Sequence, residues 1–189
     1  MHLLVTPDIK QLPKDIGITI MMEKEREGTY FMLHNLKIEY NDLVKKYKEI
    51  IGYAGRFSES FSLVTNLKKP YTKQPPRCDH ECLLSPLFPC LIDQKIGREL
   101  SGKYKGKAGN HKVMNMHKAC KTSRVIIRGM PNLFLFSNDL PEDLCFYRNG
   151  EVWFWTITHE EMAFMESANE NDVEFLQMHD IKFVRTAIV

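Results

Sequence analysis

The stretch Leu144–Ile157, LCFYRNGEVWFWTI, decides the architecture. Asn149-Gly150 lies between two apolar runs, and a type I′ turn needs positive φ at both of its central residues. Asn-Gly in this setting therefore marks a two-residue β-hairpin. A two-residue loop pairs Arg148 with Glu151, Tyr147 with Val152, Phe146 with Trp153, Cys145 with Phe154 and Leu144 with Trp155. One face then carries Leu144, Phe146, Trp153, Trp155 and Ile157, and the other Cys145, Tyr147, Val152 and Phe154. Both faces are apolar, so the hairpin belongs at the centre of a sheet, or else one face is a docking surface.

Working outward from the hairpin, RVIIR (Arg124–Arg128) and LFLF (Leu133–Phe136) read as further strands around the turn GMPN. Thr158 and Glu161 fit a capping box opening a short helix over EEMAFMESA. NDVEFLQMHD reads as a second helix capped by Asn171, and Ile181–Val189 as a final alternating strand. Toward the N-terminus, Ile18–Met22 and Thr29–Asn35 form a hairpin. Residues 41–55 then form a helix capped by Asn41, with Leu43, Val44, Tyr47, Ile50, Ile51 and Ala54 on one face. Pro70, Pro75, Pro76, Pro86 and Pro89 make 68–90 irregular, because proline fixes φ and donates no backbone hydrogen bond. Leu91–Leu100 reads as a short helix and Ser101–Asn110 as an exposed Gly/Lys loop. The fold class is α+β: a mostly antiparallel sheet with a C-terminal hairpin, its strands packed against two or three helices, and an irregular Pro-rich, basic middle.

Charge divides the chain more sharply than hydropathy does. The net charge is +2, yet residues 1–67 carry nine basic and nine acidic side chains, 68–128 fourteen and four, and 129–189 three and eleven. The corresponding segments are an N-terminal α+β unit (1–67), a Pro/Cys-rich and basic insertion (68–123) and a C-terminal sheet–helix unit (124–189), which also fit a single domain over 1–189. No apolar run approaches the roughly 20 residues of a membrane span, and the N-terminus lacks the basic and small-residue features of a signal peptide. The expectation is a cytoplasmic protein with no membrane association, whose five cysteines are reduced thiols or metal ligands rather than a disulfide framework.

Those cysteines raise the first functional question. RCDHECLLSPLFPC, residues 77–90, holds Cys78, Cys82 and Cys90, and HKVMNMHKAC adds His111, His117 and Cys120. His117 and Cys120 share a face if they lie on one helical turn. Cys78, Cys82, His117 and Cys120, with Cys90 able to replace any of them, make a soft N/S set suited to tetrahedral zinc. A metal would also order a segment that has little core of its own. Neither half is a CxxC pair, so unliganded thiols are the competing reading, and for Cys145 simple packing is expected.

The basic middle raises the second. Lys103, Lys105, Lys107, Lys112, Lys118, Lys121, Arg124 and Arg128 follow one another without an intervening acid. Such a strip attracts a phosphate backbone. The leading expectation is a non-catalytic binding protein whose basic segment 103–128 engages nucleic acid or another polyanion. A second is a protein-interaction module, an inhibitor or immunity-type factor, that docks a basic partner on the acidic, aromatic C-terminal third. A third is a small hydrolase or nuclease drawing on Cys120 with His117, Cys82 with His80, or Asn110-His111. Walker, G-x-G-x-x-G, G-x-S-x-G and H-E-x-x-H signatures are absent from the sequence.

Overall fold

The computed structural model describes residues 22–24, 30–32, 34–66, 81–97, 112–137 and 140–186. In chain order the elements are β1 (Met22–Lys24), β2 (Tyr30–Met32), β3 (His34–Ile38), α1 (Tyr40–Lys45), α2 (Tyr47–Arg56), β4 (Ser60–Asn66), α3 (Glu81–Leu84), a 3-10 segment (Ser85–Cys90), β5 (Leu91–Gly97), β6 (Lys112–Lys118), α4 (Lys121–Gly129), β7 (Glu142–Arg148), β8 (Glu151–Ile157), a 3-10 turn (Thr158–Glu160), β9 (Met162–Ala168), α5 (Glu170–Met178) and β10 (Phe183–Arg185). Eight strands form one antiparallel sheet in the order β10-β3-β9-β8-β7-β4-β6-β5, and β1 pairs with β2 separately. This is the α+β architecture expected from the sequence.

Asn149 and Gly150 do turn with positive φ, 54° and 80°, and β7 and β8 lie in the middle of the sheet. The register differs from the simple alternation. Arg148 pairs with Glu151 and Tyr147 with Val152, but Phe146 then pairs with Phe154 and Cys145 with Trp155. Trp153 is the extra residue of a bulge. Two successive aromatics, Trp153 and Phe154, consequently both join the core cluster, where strict alternation would send them to opposite faces.

That cluster draws on every third of the chain. It includes Leu36, Leu43, Ile50, Ile51 and Phe61 from the first segment, Leu84 and Leu87 from the second, and Ile127, Phe146, Phe154, Met165 and Leu176 from the third. The helical reading of 41–55 holds, with Ile50, Ile51 and Ala54 fully buried. A break at Lys46 divides it into α1 and α2, and the N-cap of α1 is Glu39 rather than Asn41. Near the N-terminus β1 pairs with β2, Met22 opposite Met32, but β1 extends through Glu23 and Lys24, where a turn was expected; Ile18–Met21 lie outside the described residues, as do the loop 101–110 and the prolines at 70, 75 and 76.

Four segments take a different form from the one their local pattern suggests. Leu91–Gly97 is an edge strand, held by pairing with β6 and exposed along most of its length. Arg124–Arg128 is helical, because α4 turns Ser123 and Ile127 inward and leaves the charges outside. Leu133–Phe136 forms turns, with Leu133 and Phe134 buried and Leu135 and Phe136 exposed. Met162–Ala168 is a strand that buries Ala163, Met165 and Ala168 beside β8 and β3. Sheet pairing here outweighs the helix propensity of Ala, Met and Glu. Within 68–90, residues 81–90 are helical in short pieces. Among the described residues no helix is long and apolar enough to cross a membrane.

Helix α5 is anchored by a carboxylate the sequence reading passed over. Asn169, not Asn171, is its N-cap, and Asp172 completes the capping box. Asp172 is fully buried. It accepts two hydrogen bonds from Arg148, at 2.8 and 2.9 Å, and one from the Tyr53 hydroxyl at 2.8 Å. Arg148 in turn lies 3.8 Å from the Trp153 ring centre. Removing one member of a buried ion pair leaves the other unpaired. Asp172→Ala should therefore destabilise the fold by about 3 kcal/mol or more, measured by urea denaturation. Glu174→Ala, which removes an exposed carboxylate from the same helix, serves as the control and should leave stability nearly unchanged.

Candidate functional site

Helix α4 packs against α2 through two glycines. A β-carbon on Gly55 would stand 3.1 Å from Arg124 Cγ, and one on Gly52 would stand 3.9 Å from Arg128 Nε and Cζ. The missing side chain of Gly55 lets the aliphatic stem of Arg124 lie against α2, whereas over Gly52 it is the Arg128 guanidinium that comes near, at an ordinary contact distance. Lys121, Arg124 and Arg128 fall at i, i+3 and i+7, so they form one stripe along α4. Arg124 is half-buried, and Lys121, Arg128 and the preceding Lys118 are exposed. Among the described residues these four cations make no ion pair.

The remaining members of the basic strip are placed differently. Lys112 is drawn into the fold by a 3.2 Å ion pair with Glu142, both partners being largely covered. Lys103, Lys105 and Lys107 lie outside the described residues. The tryptophans are not free platforms for bases. Trp153 is buried and donates to Ser58 at 2.8 Å, while Trp155 stacks on Phe164 and donates to Glu166. Trp155 and Phe164 are half-buried, as are Tyr147 and Phe175, and Phe136 is exposed.

Of the proposed zinc ligands, the structure brings Cys90 and Cys120 together, with their sulfurs 3.4 Å apart. Cys90 closes the 3-10 segment and Cys120 is the N-cap of α4. His117 and Cys120 do not share a helical turn, since His117 is on β6 and Cys120 follows that strand. Cys78 lies outside the described residues, and so does the side chain of Cys82. Among the described residues, the one cluster of three or more potential donors is Glu142, Asp143 and His159, whose ligand atoms lie within 4.8 Å of one another. It contains none of the cysteines, and Asp143 there is already engaged with Thr158. Of the catalytic combinations considered, His80, Asn110 and His111 also lie outside the described residues.

His117 is fully buried and stacks on Phe61 at 5.3 Å, and both ring nitrogens lack a hydrogen-bond partner. The Leu87 backbone bears on the ring without reaching hydrogen-bond geometry. Burial lowers the pKa of His117, so the ring is held neutral. The sign of the consequence follows. The unfolded chain takes up a proton below the ordinary value of 6.5 while the folded chain resists it, so His117 costs stability as pH falls through that value. His117→Phe should keep the packing at neutral pH and reduce the loss of stability on acidification, as followed by denaturation across pH.

The two paired thiols are electrostatically unlike. The Ser123 amide first, then the Ser123 hydroxyl and the Cys90 thiol, hold the Cys120 pKa down to about 6. No side-chain cap bond forms at Cys120, so the amide dipoles at the start of α4 act on the sulfur through their field. Desolvation first, and the neighbouring Cys120 sulfur second, push the Cys90 thiol up. Cys145 is buried, and desolvation drives it up to about 12. The thiolate is the reactive form, so labelling of Cys120 by iodoacetamide should rise to half its plateau near pH 6. A labelling profile centred on the ordinary value of 9.0 would contradict the field assigned to α4.

A pocket of about 450 Å³ opens at the Arg148–Asp172 end of the molecule, lined in part by Tyr53, Arg56, Glu59, Asn149 and Asn171. Its carboxylates are committed internally: Glu59 accepts from the Asn149 and Gly150 amides, and Asp172 is saturated as described above, while Arg56 lies over the Phe57 ring. The Asn-x-x-Asp spacing at 169–172 is the signal that would have located this network in the sequence. No protein-family model matches the chain, and comparison with curated proteins and with solved structures finds no match.

Proposed function

We propose that this protein binds nucleic acid through the basic face built from β6 and α4. The observation that carries the reading is the stripe Lys121, Arg124 and Arg128 with Lys118 beside it, free of acidic partners among the described residues. Glycine 55 seats Arg124 against α2, and the Arg128 guanidinium lies over Gly52. That reduces the side-chain freedom lost when a phosphate is engaged. The N-terminal end of α4 adds the partial positive charge of its unpaired amides.

These groups are suited to phosphates rather than to base edges. Contacts of this kind fix position and supply affinity, with little sequence preference. Lys103, Lys105 and Lys107, close upstream in the sequence, extend the same charge. Lys112 is assigned no part in binding, because it is paired with Glu142.

The test is a fluorescence-anisotropy titration of generic DNA and RNA oligonucleotides over a range of salt. About four phosphate contacts give a log–log salt slope of roughly −3 to −4. Replacing Lys121, Arg124 and Arg128 together by Ala should flatten that slope by about 3 and weaken binding to all sequences alike. Absence of binding at low salt, or a slope untouched by the triple substitution, overturns the reading.

A further inference from the structure

Cys90 and Cys120 are 30 residues apart in sequence, yet their sulfurs sit 3.4 Å from each other. Each is fixed by its own anchor. Cys90 follows Leu84 and Leu87, both buried in the core cluster, and its neighbour Leu91 pairs with His117 across β5 and β6. On the other side, the Ala119 amide donates to the Glu59 carbonyl at 2.8 Å. Ser123 is fully buried, and its hydroxyl donates to the carbonyls of Lys118 at 2.5 Å and Cys120 at 3.1 Å. The approach of the sulfurs is therefore imposed by the sheet and by α4, not by a mobile side chain. Both cysteines are half-exposed, so a small reagent can reach them. Closing to the bonded distance of about 2.05 Å asks for a small further movement. Among the described residues no third His, Cys, Asp or Glu joins the pair to complete a metal site.

We propose that Cys90 and Cys120 are a redox-active dithiol that exchanges with anionic low-molecular-weight disulfides of the glutathione type. This does not depend on nucleic-acid binding. Cys120 is the attacking sulfur, at the amide end of α4 and between the exposed cations Lys118 and Lys121; those charges draw in an anionic reagent. The Cys120 thiolate attacks one sulfur of R–S–S–R. The reagent's S–S bond breaks, and the departing thiolate RS⁻ takes a proton from solvent. Cys90 then gives up its proton and attacks the Cys120 sulfur of the mixed disulfide, expelling the second RS⁻, which is protonated in turn. Two protein thiols are oxidised by two electrons to one disulfide, and R–S–S–R is reduced to two R–SH.

The experiment incubates the full chain in glutathione buffers of stepped redox ratio, quenches it by alkylation, and maps the thiols by mass spectrometry with fragmentation. Expected is a concerted loss of the Cys90 and Cys120 thiols as one cross-link, with Cys145 unreacted. Cys90→Ser should accumulate the mixed disulfide on Cys120, because the resolving sulfur is gone. Cys120→Ser should slow the reaction with glutathione disulfide by about tenfold or more. A neutral disulfide, hydroxyethyl disulfide, should lose less rate on raising salt than glutathione disulfide does. The proposal fails if the wild-type chain forms no Cys90–Cys120 cross-link under oxidising ratios. It also fails if the cross-link joins Cys78 or Cys82 instead. Stoichiometric zinc in the purified protein, protecting both cysteines from alkylation until a chelator is added, overturns it as well.

Discussion

One buried carboxylate ties together parts of the chain that composition keeps apart. Asp172 has no exposed surface, and an ionised carboxylate so placed is tolerable only if charge and hydrogen bonds replace its water. Arg148 supplies the charge from the end of β7, Tyr53 donates from α2, and the Asn169 amide donates from the α5 cap. Each partner then has a single workable position. Arg148 is laid over Trp153, the bulged residue of the central hairpin, and Tyr53 stacks on Phe175 of α5 at 3.9 Å. Burial and the nearby Asp172 charge both raise the Tyr53 pKa, which keeps its hydroxyl protonated and donating. The acidic third and the neutral first third are thereby locked onto one sheet.

With α2 fixed by Asp172, the position of α4 follows. Gly52 faces Arg128 and Gly55 faces Arg124, so the two helices run in opposite directions along this contact. Tyr47 donates to the Ile127 carbonyl at 2.8 Å and Asn132 to the Val44 carbonyl at 2.8 Å, which pins the contact at the C-terminal end of α4. Ser123 and Ile127 point inward from α4, which leaves Arg124 along the α2 contact and Lys121 and Arg128 exposed. The basic face is in this sense a product of the core.

The sequence was most legible where a local rule coincided with a tertiary one. Asn149-Gly150 specifies a turn by its own backbone chemistry, and the flanking apolar residues agree with a central position. Residues 41–55 carry enough periodic apolar positions to declare a helix despite the break at Lys46. Shorter segments were legible only in part. Arg124–Arg128 is β-rich in composition and Met162–Ala168 helix-rich, and each takes the opposite form because its neighbours decide: α2 accepts a helix at the first, and β8 with β3 demands a strand at the second. The bulge at Trp153 cannot be read from alternation at all, since alternation has no place for an unpaired residue. For the candidate site, charge was visible and its seating was not. Glycines 52 and 55 lie inside α2, and no local pattern announces that arginines of another helix approach them. Cys90 and Cys120 were visible only as possible members of a larger ligand set, because a pairing across β5, β6 and α4 leaves no spacing signature.

The cysteine pair and the cationic stripe share one physical source. Cys120 sits where a Ser, Thr, Asp or Asn would ordinarily cap the helix with an oxygen. Sulfur is larger and a poorer acceptor, and no cap bond forms. The Ser123 and Thr122 amides of the first turn instead direct their field at the sulfur. That field lowers the Cys120 pKa and adds to the potential of Lys118, Lys121, Arg124 and Arg128. Oxygen at position 120 would satisfy the helix end and abolish the thiolate together. The choice of cysteine there costs the helix a cap, and what the position gains is a charged, accessible sulfur aimed at a second one.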